Sequence, residues 1–346
     1  MEGIDELSTG LAKEEEEMSK PVEPAYKQHI LDLTQPIVDA EFLFSIGNIA
    51  TIPEGELIAI TGQAKQGKSQ FEYYLIATML GGRSLGGVSP LLESYKVLLF
   101  DTEQSQANLQ KCCQRALRFA DIPDNNNDVR FIPFFLRPLK IDERLKVIEE
   151  AIKTEKPNIV FIDGIRDLLN DFNDIRESNN LIQKLLRWIT EYRCTIVCVL
   201  HQNKNNSREM RGHLGTELLN KVTDCFEVSK KSGVFTVSCT ASRNVPCPAL
   251  AFSIDEEGDF CIEDIPVKDK DDKVDKDKAT NEKMEQIFRE CFSNVSELRQ
   301  GALKKAYMEK SGKSDRTADR AIQASLEKGI LLKRDGVYFL SGTPST

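Results

Sequence analysis

The sequence of 346 residues has no apolar run of the roughly 18 to 20 residues that cross a bilayer, no CxxC pair among its nine cysteines, and only three histidines. The first absence excludes a membrane-spanning helix. The other two argue against the usual zinc frameworks and for reduced thiols. Residues 1–24 are acidic and lack the basic-then-apolar order of a secretory signal, so the expectation is a cytoplasmic protein that neither inserts into a membrane nor is exported. No internal repeat is present. The composition that remains, 40% hydrophobic and 29% charged, supplies a real core and enough chain for two domains.

The net charge of −9 is unevenly spread. Residues 1–24 hold eight acids and two lysines, whereas residues 281–346 hold twelve Lys and Arg against nine Asp and Glu. Phosphate contacts depend on local patches, so the negative total leaves nucleic acid open as a partner. The acidic segment 1–24, poor in large apolar residues, reads as a disordered tail.

From residue 25 to 265, short β-rich apolar runs alternate with amphipathic stretches. ELIAIT, KVLLFD, VRFIPF, NIVFID and CTIVCVL are strand candidates, separated by helix candidates near 68–80, 105–120, 141–153 and 177–192. Alternation of this kind predicts an α/β domain with a mostly parallel sheet. After residue 220, DCFEVSK, GVFTVSCTAS, ALAFSID and GDFCIED predict an antiparallel extension of that sheet. Residues 266–281 contain KDKDDKVDKDK, a charge-balanced linker. Beyond it, 282–346 reads as three helices and a hairpin turning at Asp335 and Gly336, the outline of a winged-helix domain.

Residues Gly62, Gln63, Ala64, Lys65, Gln66, Gly67, Lys68 and Ser69 match G-x-x-x-x-G-K-[ST], with a strand before and a helix after. Such a loop cradles ATP phosphates on backbone N–H groups; Lys68 reaches the β- and γ-phosphates and the Ser69 hydroxyl ligates Mg2+. Lys65, at the apex, reads either as a phosphate contact or as a solvated lysine. A P-loop ATPase also needs carboxylates at neighbouring strand ends. Asp163, closing NIVFID, is assigned to the metal with Ser69. Glu103, past the end of KVLLFD, is assigned as the base, against the alternative of a charge favoured by the following helix dipole. Asp101 faces either way. His201 and Gln202, at the end of CTIVCVL, stand where a sheet presents its ligand edge, as γ-phosphate sensors or as structural residues. The segment that follows carries Lys204, Arg208 and Arg211, either as a grip on a phosphate backbone or as a solvated loop.

The order GQAKQGKS, DTE, FIDG, LHQNK, MRGHLG and TASRN, over about residues 40–262, resembles the RecA-like ATPases of the hexameric-helicase branch, especially RepA-type replication helicases of plasmids and mobile elements. The resemblance implies a RecA-like ATPase domain over 25–265, with Glu103 as catalytic base, Asp163 as the Walker B acid, and Gln202 with His201 as sensor. It also implies a nucleic-acid-facing loop at 203–213, and Arg243 as an arginine finger acting across a subunit boundary in a homo-oligomer, a hexameric ring.

In the C-terminal segment, Ser314 is a candidate N-cap, Ala318, Ile322 and Leu326 form an inward stripe, and Gly329 ends the helix. Arg316 and Arg320 fall on the other face, suited to duplex DNA, with protein docking as the alternative. The combined expectation is an ATP- and Mg2+-dependent ATPase acting on single-stranded or duplex DNA, as a replication or mobilisation helicase. A non-motor regulator that recruits a recombinase, primase or transposase is the alternative.

Overall fold

The computed structural model describes residues 24–37, 41–125, 127–203, 209–265, 284–334 and 336–341. Residues 1–23 of the acidic tail, all of the charged linker 266–281, Lys204, Arg208 and Asp335 lie outside them. The chain divides into two compact units, 1–265 and 266–346.

In chain order the first unit runs β1 (Phe42–Ile46), β2 (Ile49–Pro53), β3 (Leu57–Gly62), α1 (Lys68–Gly81), β4 (Val88–Pro90), β5 (Val97–Asp101), α2 (Gln106–Phe119) and β6 (Phe131–Phe135). It continues through α3 (Ile141–Glu155), β7 (Ile159–Asp163), α4 (Ile175–Tyr192), β8 (Thr195–His201), α5 (Gly212–Lys221), β9 (Asp224–Lys231), β10 (Val234–Ser242), β11 (Leu250–Ile254) and β12 (Phe260–Glu263). Nine strands form one sheet in the order β12-β11-β10-β9-β3-β8-β7-β5-β6. From β9 to β6 every pairing is parallel, and from β9 outward to β12 every pairing is antiparallel. The α/β class with an antiparallel extension is thus borne out, with one correction: β9, expected in the extension, pairs parallel to β3 and is antiparallel only to β10.

The strands read as continuous apolar runs because both faces are covered. Ile58, Ile60, Leu99, Phe161 and Val197 face α1 and α2, while Leu57, Leu98, Phe100, Val160 and Ile162 face α3, α4 and α5. α1 is apolar almost all round, as befits a helix buried on every side. β1, β2 and β4 form a separate small antiparallel sheet in the order β2-β1-β4. Buried Asp224 ties it to the main sheet by accepting hydrogen bonds from Ile52 N (3.0 Å) and Ser242 Oγ (2.6 Å).

The second unit contains α6 (284–291), β13 (Leu298–Arg299), α7 (Gln300–Ser311), α8 (Asp315–Glu327), β14 (Leu331–Arg334) and β15 (Val337–Leu340). Its antiparallel sheet has the order β13-β15-β14, and Phe288, Leu303, Tyr307, Ala318, Ile322, Leu331 and Tyr338 form a core of its own. Lys304 is ion-paired with Asp315 (2.8 Å) and Asp319 (2.6 Å) on α8. All nine cysteines are free thiols, and among the described residues no helix is long and apolar enough to cross a membrane.

Leu185, fully buried on α4 in the same core as Trp188, tests the packing of the parallel sheet. Leu185→Ala should cost about 2–5 kcal/mol, read by chemical denaturation with the fluorescence of Trp188, the single tryptophan, as probe.

Candidate functional site

Four parallel strands end side by side at one edge of the sheet. Register sets Gly62 of β3 beside His201 of β8, and Asp101 of β5 beside Asp163 of β7, with β8 between β3 and β7. In open α/β sheets this carboxyl edge is where ligands bind.

Residues 62–69 link β3 to α1, and two glycines make the path available. A Cβ at Gly62 would overlap the Val228 carbonyl oxygen, and one at Gly67, where φ is +92°, would run into the Phe235 ring. β9 and β10 therefore press on the loop from outside. α1 begins at Lys68, so the first-turn N–H groups, which lack intrahelical partners, offer an anion site. Ala64 and Lys65 are exposed at the apex, with Lys65 in the left-handed region at φ +63°.

Lys68 is buried, and its Nζ donates to Gln63 O and to His201 Nδ1, both at 2.9 Å. An ammonium has only donors, so Nδ1 accepts and the ring proton sits on Nε2, which faces Glu103 Oε2 at 3.6 Å. This contact holds the Glu103 carboxyl below its ordinary range against a partial loss of solvent, with Lys68 and Arg166 adding to the effect, and the side chain remains exposed. Burial in turn lowers the Lys68 ammonium, against the pull of Asp163, Glu103 and Glu72.

Ser69 Oγ donates to Asp163 Oδ2 at 2.6 Å. Burial pushes the Asp163 carboxyl up to about 7, with Asp101 and Glu103 adding to the rise and Ser69 and Lys68 opposing it. Asp101 faces inward: its carboxylate accepts from Glu103 N (3.0 Å), Gln104 N (2.7 Å) and Gln104 Nε2 (2.5 Å). It shapes the turn that carries Glu103, and Thr102 Oγ1 pins that turn to Asp163 O at 3.1 Å.

Hydroxyl and carboxylate oxygens are the donors a hard divalent cation prefers, so Ser69 and Asp163 fit magnesium. Among the described residues no group of three His, Cys, Asp or Glu side chains is placed to hold a metal by itself. That suits magnesium, which is commonly bound by one or two protein groups together with substrate phosphates.

The structure therefore brings Gln63, Lys68, Ser69, Glu103, Asp163 and His201 into one cluster. Gln202 turns elsewhere: its Nε2 donates to Glu227 Oε1 on β9 at 3.0 Å. Arg243 follows β10, and its guanidinium donates to Asn220 O and Lys221 O at the end of α5, both at 3.3 Å. β9 starts beside Ile58, so Arg243 lies toward the opposite edge of the sheet, on the order of 15 Å of strand from its own loop. Arg211 caps the start of α5, and both its guanidinium and that of Arg166 lie 4.8 Å from the centroid of Phe172. Arg166, Phe172 and Glu72 escaped sequence reasoning because no local motif or period marks them. In the second unit Arg316 and Arg320 are exposed on α8.

Residues 47–207 match a family described as an AAA domain. The match takes in the loop, Glu103, Asp163 and His201, and covers a little under half of the chain. With the strand order above, this region has the fold of a P-loop NTPase. No curated protein matches the chain.

Two outcomes follow from this geometry. Lys68→Ala should abolish ATP binding in an equilibrium assay, since the loop then lacks its one buried cation among the described residues. The raised Asp163 carboxyl stabilises the fold fully below its unfolded value of 3.8, and that stability is lost as pH rises through about 7. The melting temperature of the nucleotide-free protein, relative to Asp163→Asn, should therefore fall between pH 5 and pH 7.5.

Proposed function

We propose that the protein is an oligomeric, ATP- and magnesium-dependent RecA-like ATPase that acts on DNA, as a replication or mobilisation helicase of a plasmid or mobile element. The observation that carries the chemistry is the relay from Lys68 through His201 to Glu103. Glu103, ionised and next to an imidazole, orients the attacking water and takes its proton. The γ-phosphate competes with His201 for the Lys68 ammonium. When it wins, Nδ1 loses its donor and the ring changes partners, which makes His201 the sensor of the bound triphosphate. Held by Ser69, Asp163 and the phosphates, magnesium would neutralise charge on the transferring group.

Three features support the wider reading. The guanidinium groups of Arg166 and Arg211 flank Phe172 beside the 203–209 loop, a combination of cation and ring suited to single strands. Arg243, far from its own loop, fits a finger that completes the site of a second copy. Tyr26, Ile30, Leu31 and Leu33 are exposed ahead of β1, in keeping with subunit contacts. The element order of the second unit supports a winged helix, and exposed Arg316 and Arg320 on α8 favour the second reading, a duplex-binding regulator that recruits a recombinase, primase or transposase.

The two readings separate in one experiment, ATP turnover at fixed low salt without DNA, with single strands and with duplex. A motor is stimulated strongly by single strands and unwinds a forked duplex; turnover indifferent to single strands rejects it. Within either reading Glu103→Gln should keep ATP binding and lower turnover by about 100-fold or more. Arg243→Ala should be inactive alone and regain turnover when mixed with Lys68→Ala. Absence of rescue after proven subunit exchange removes the finger.

A further inference from the structure

α1 carries an acid that the chemistry above does not use. Glu72 stands three residues after Ser69, so the two side chains share one helix face, the face on which Ser69 meets Asp163. Glu72 is fully buried, yet neither of its carboxylate oxygens meets a hydrogen-bond donor. It lies against the Asp163 carboxyl, in the field of Asp101 and Glu103, so the one hydrogen bond open to it there needs a proton held between two acids. Its neighbours on the helix, Phe71, Tyr73, Leu75 and Ile76, are buried and apolar or aromatic.

The other two buried acids of the cluster show what satisfaction looks like. Asp101 has three donors and Asp163 has Ser69, whereas Glu72 has none. An unpartnered carboxyl in an apolar interior is costly, and a merely structural position on this helix would be filled more favourably by leucine. Lys68, the nearby ammonium, is already spent on Gln63 and His201. Burial, with the surrounding acids adding to it, pushes the Glu72 carboxyl well above its ordinary range.

We propose that Glu72 is a further residue of the divalent-cation site: a positioning carboxyl that accepts a hydrogen bond from water on the cation held by Ser69 and Asp163. This rests on the reading of those two residues as cation ligands. The class of cation is small and hard, Mg2+ or Mn2+, which retains part of its water shell and so has protons to offer an outer carboxyl. The role also explains why an acid is buried on this helix at the point where the helix meets the end of β7.

The test is a Mn2+ titration of the full chain by electron paramagnetic resonance, with a non-hydrolysable ATP analogue present. Glu72→Gln should weaken Mn2+ binding about 10- to 100-fold while leaving metal-free binding of the analogue unchanged. Glu72→Leu should weaken Mn2+ binding as well, yet raise the melting temperature of the nucleotide-free protein, because it removes a buried acid without donors. Mn2+ affinity within twofold of wild type in Glu72→Gln, with Ser69→Ala and Asp163→Asn both impaired, overturns the role of Glu72 alone. Unchanged affinity in all three overturns the cation site itself. A Glu72→Leu protein that loses both Mn2+ binding and melting temperature marks a packing role and also overturns the proposal.

Discussion

Lys68 is an ammonium buried among four carboxyls, Glu72, Asp101, Glu103 and Asp163, and the arrangement of the edge follows from how that imbalance is managed. Each acid is handled differently. Asp101 is satisfied by backbone and amide donors and becomes part of the turn. Glu103 leans toward His201 and remains charged. Asp163 has a single hydroxyl donor and is held partly protonated near neutrality. Glu72 has no donor at all. The apolar strands behind them make this grading possible, since water that would level Glu72, Asp101 and Asp163 is excluded, while Glu103 stays exposed.

β8 links this edge to the surface beyond it. His201, whose ring joins Lys68 and Glu103, also accepts Arg211 N at 3.0 Å through its backbone carbonyl, and Asn203 N donates to Glu209 O at 3.0 Å. Arg211 is thereby hydrogen-bonded to the residue that touches both the lysine and the base. In the proposed reading this is the shortest covalent and hydrogen-bonded route by which a strand of DNA on Arg211 and Arg166 and a phosphate on Lys68 bias the same element. Coupling of that kind is reciprocal: what DNA does for ATP affinity, ATP does for DNA affinity.

Much of the edge was legible in the sequence because it is written in local motifs. The phosphate loop lies within eight consecutive residues, and Asp163 and His201 each close an apolar run whose period identifies the strand. The helix bounds followed from amphipathic spacing, to within two residues for α1 through α4. The parallel pairing of β9 was misread, because a strand followed by a hairpin looks like the first member of an antiparallel meander; only its contact with β3, more than 160 residues earlier, fixes its direction. α5 begins at the end of the segment 203–213 read as a loop and continues where no element was expected, because its apolar face consists of little more than Leu214 and Leu218. Glu72 was invisible for a different reason. An acid in the second turn of a helix looks solvated until the neighbouring strand ends show that it is buried against them.

The same grading has a thermodynamic consequence. A site that keeps two carboxyls away from their ordinary ionisation pays in stability of the empty protein, because the unfolded chain ionises them freely. A ligand that brings positive charge to Asp163 relieves that penalty only in the folded state, so its binding free energy and the fold's stability are linked. In the proposed reading the loop, the Glu103 turn and β8 are the segments whose contacts change when Lys68 exchanges His201 for a phosphate. In that reading the sheet behind them, packed on both faces, is the frame against which the edge changes partners.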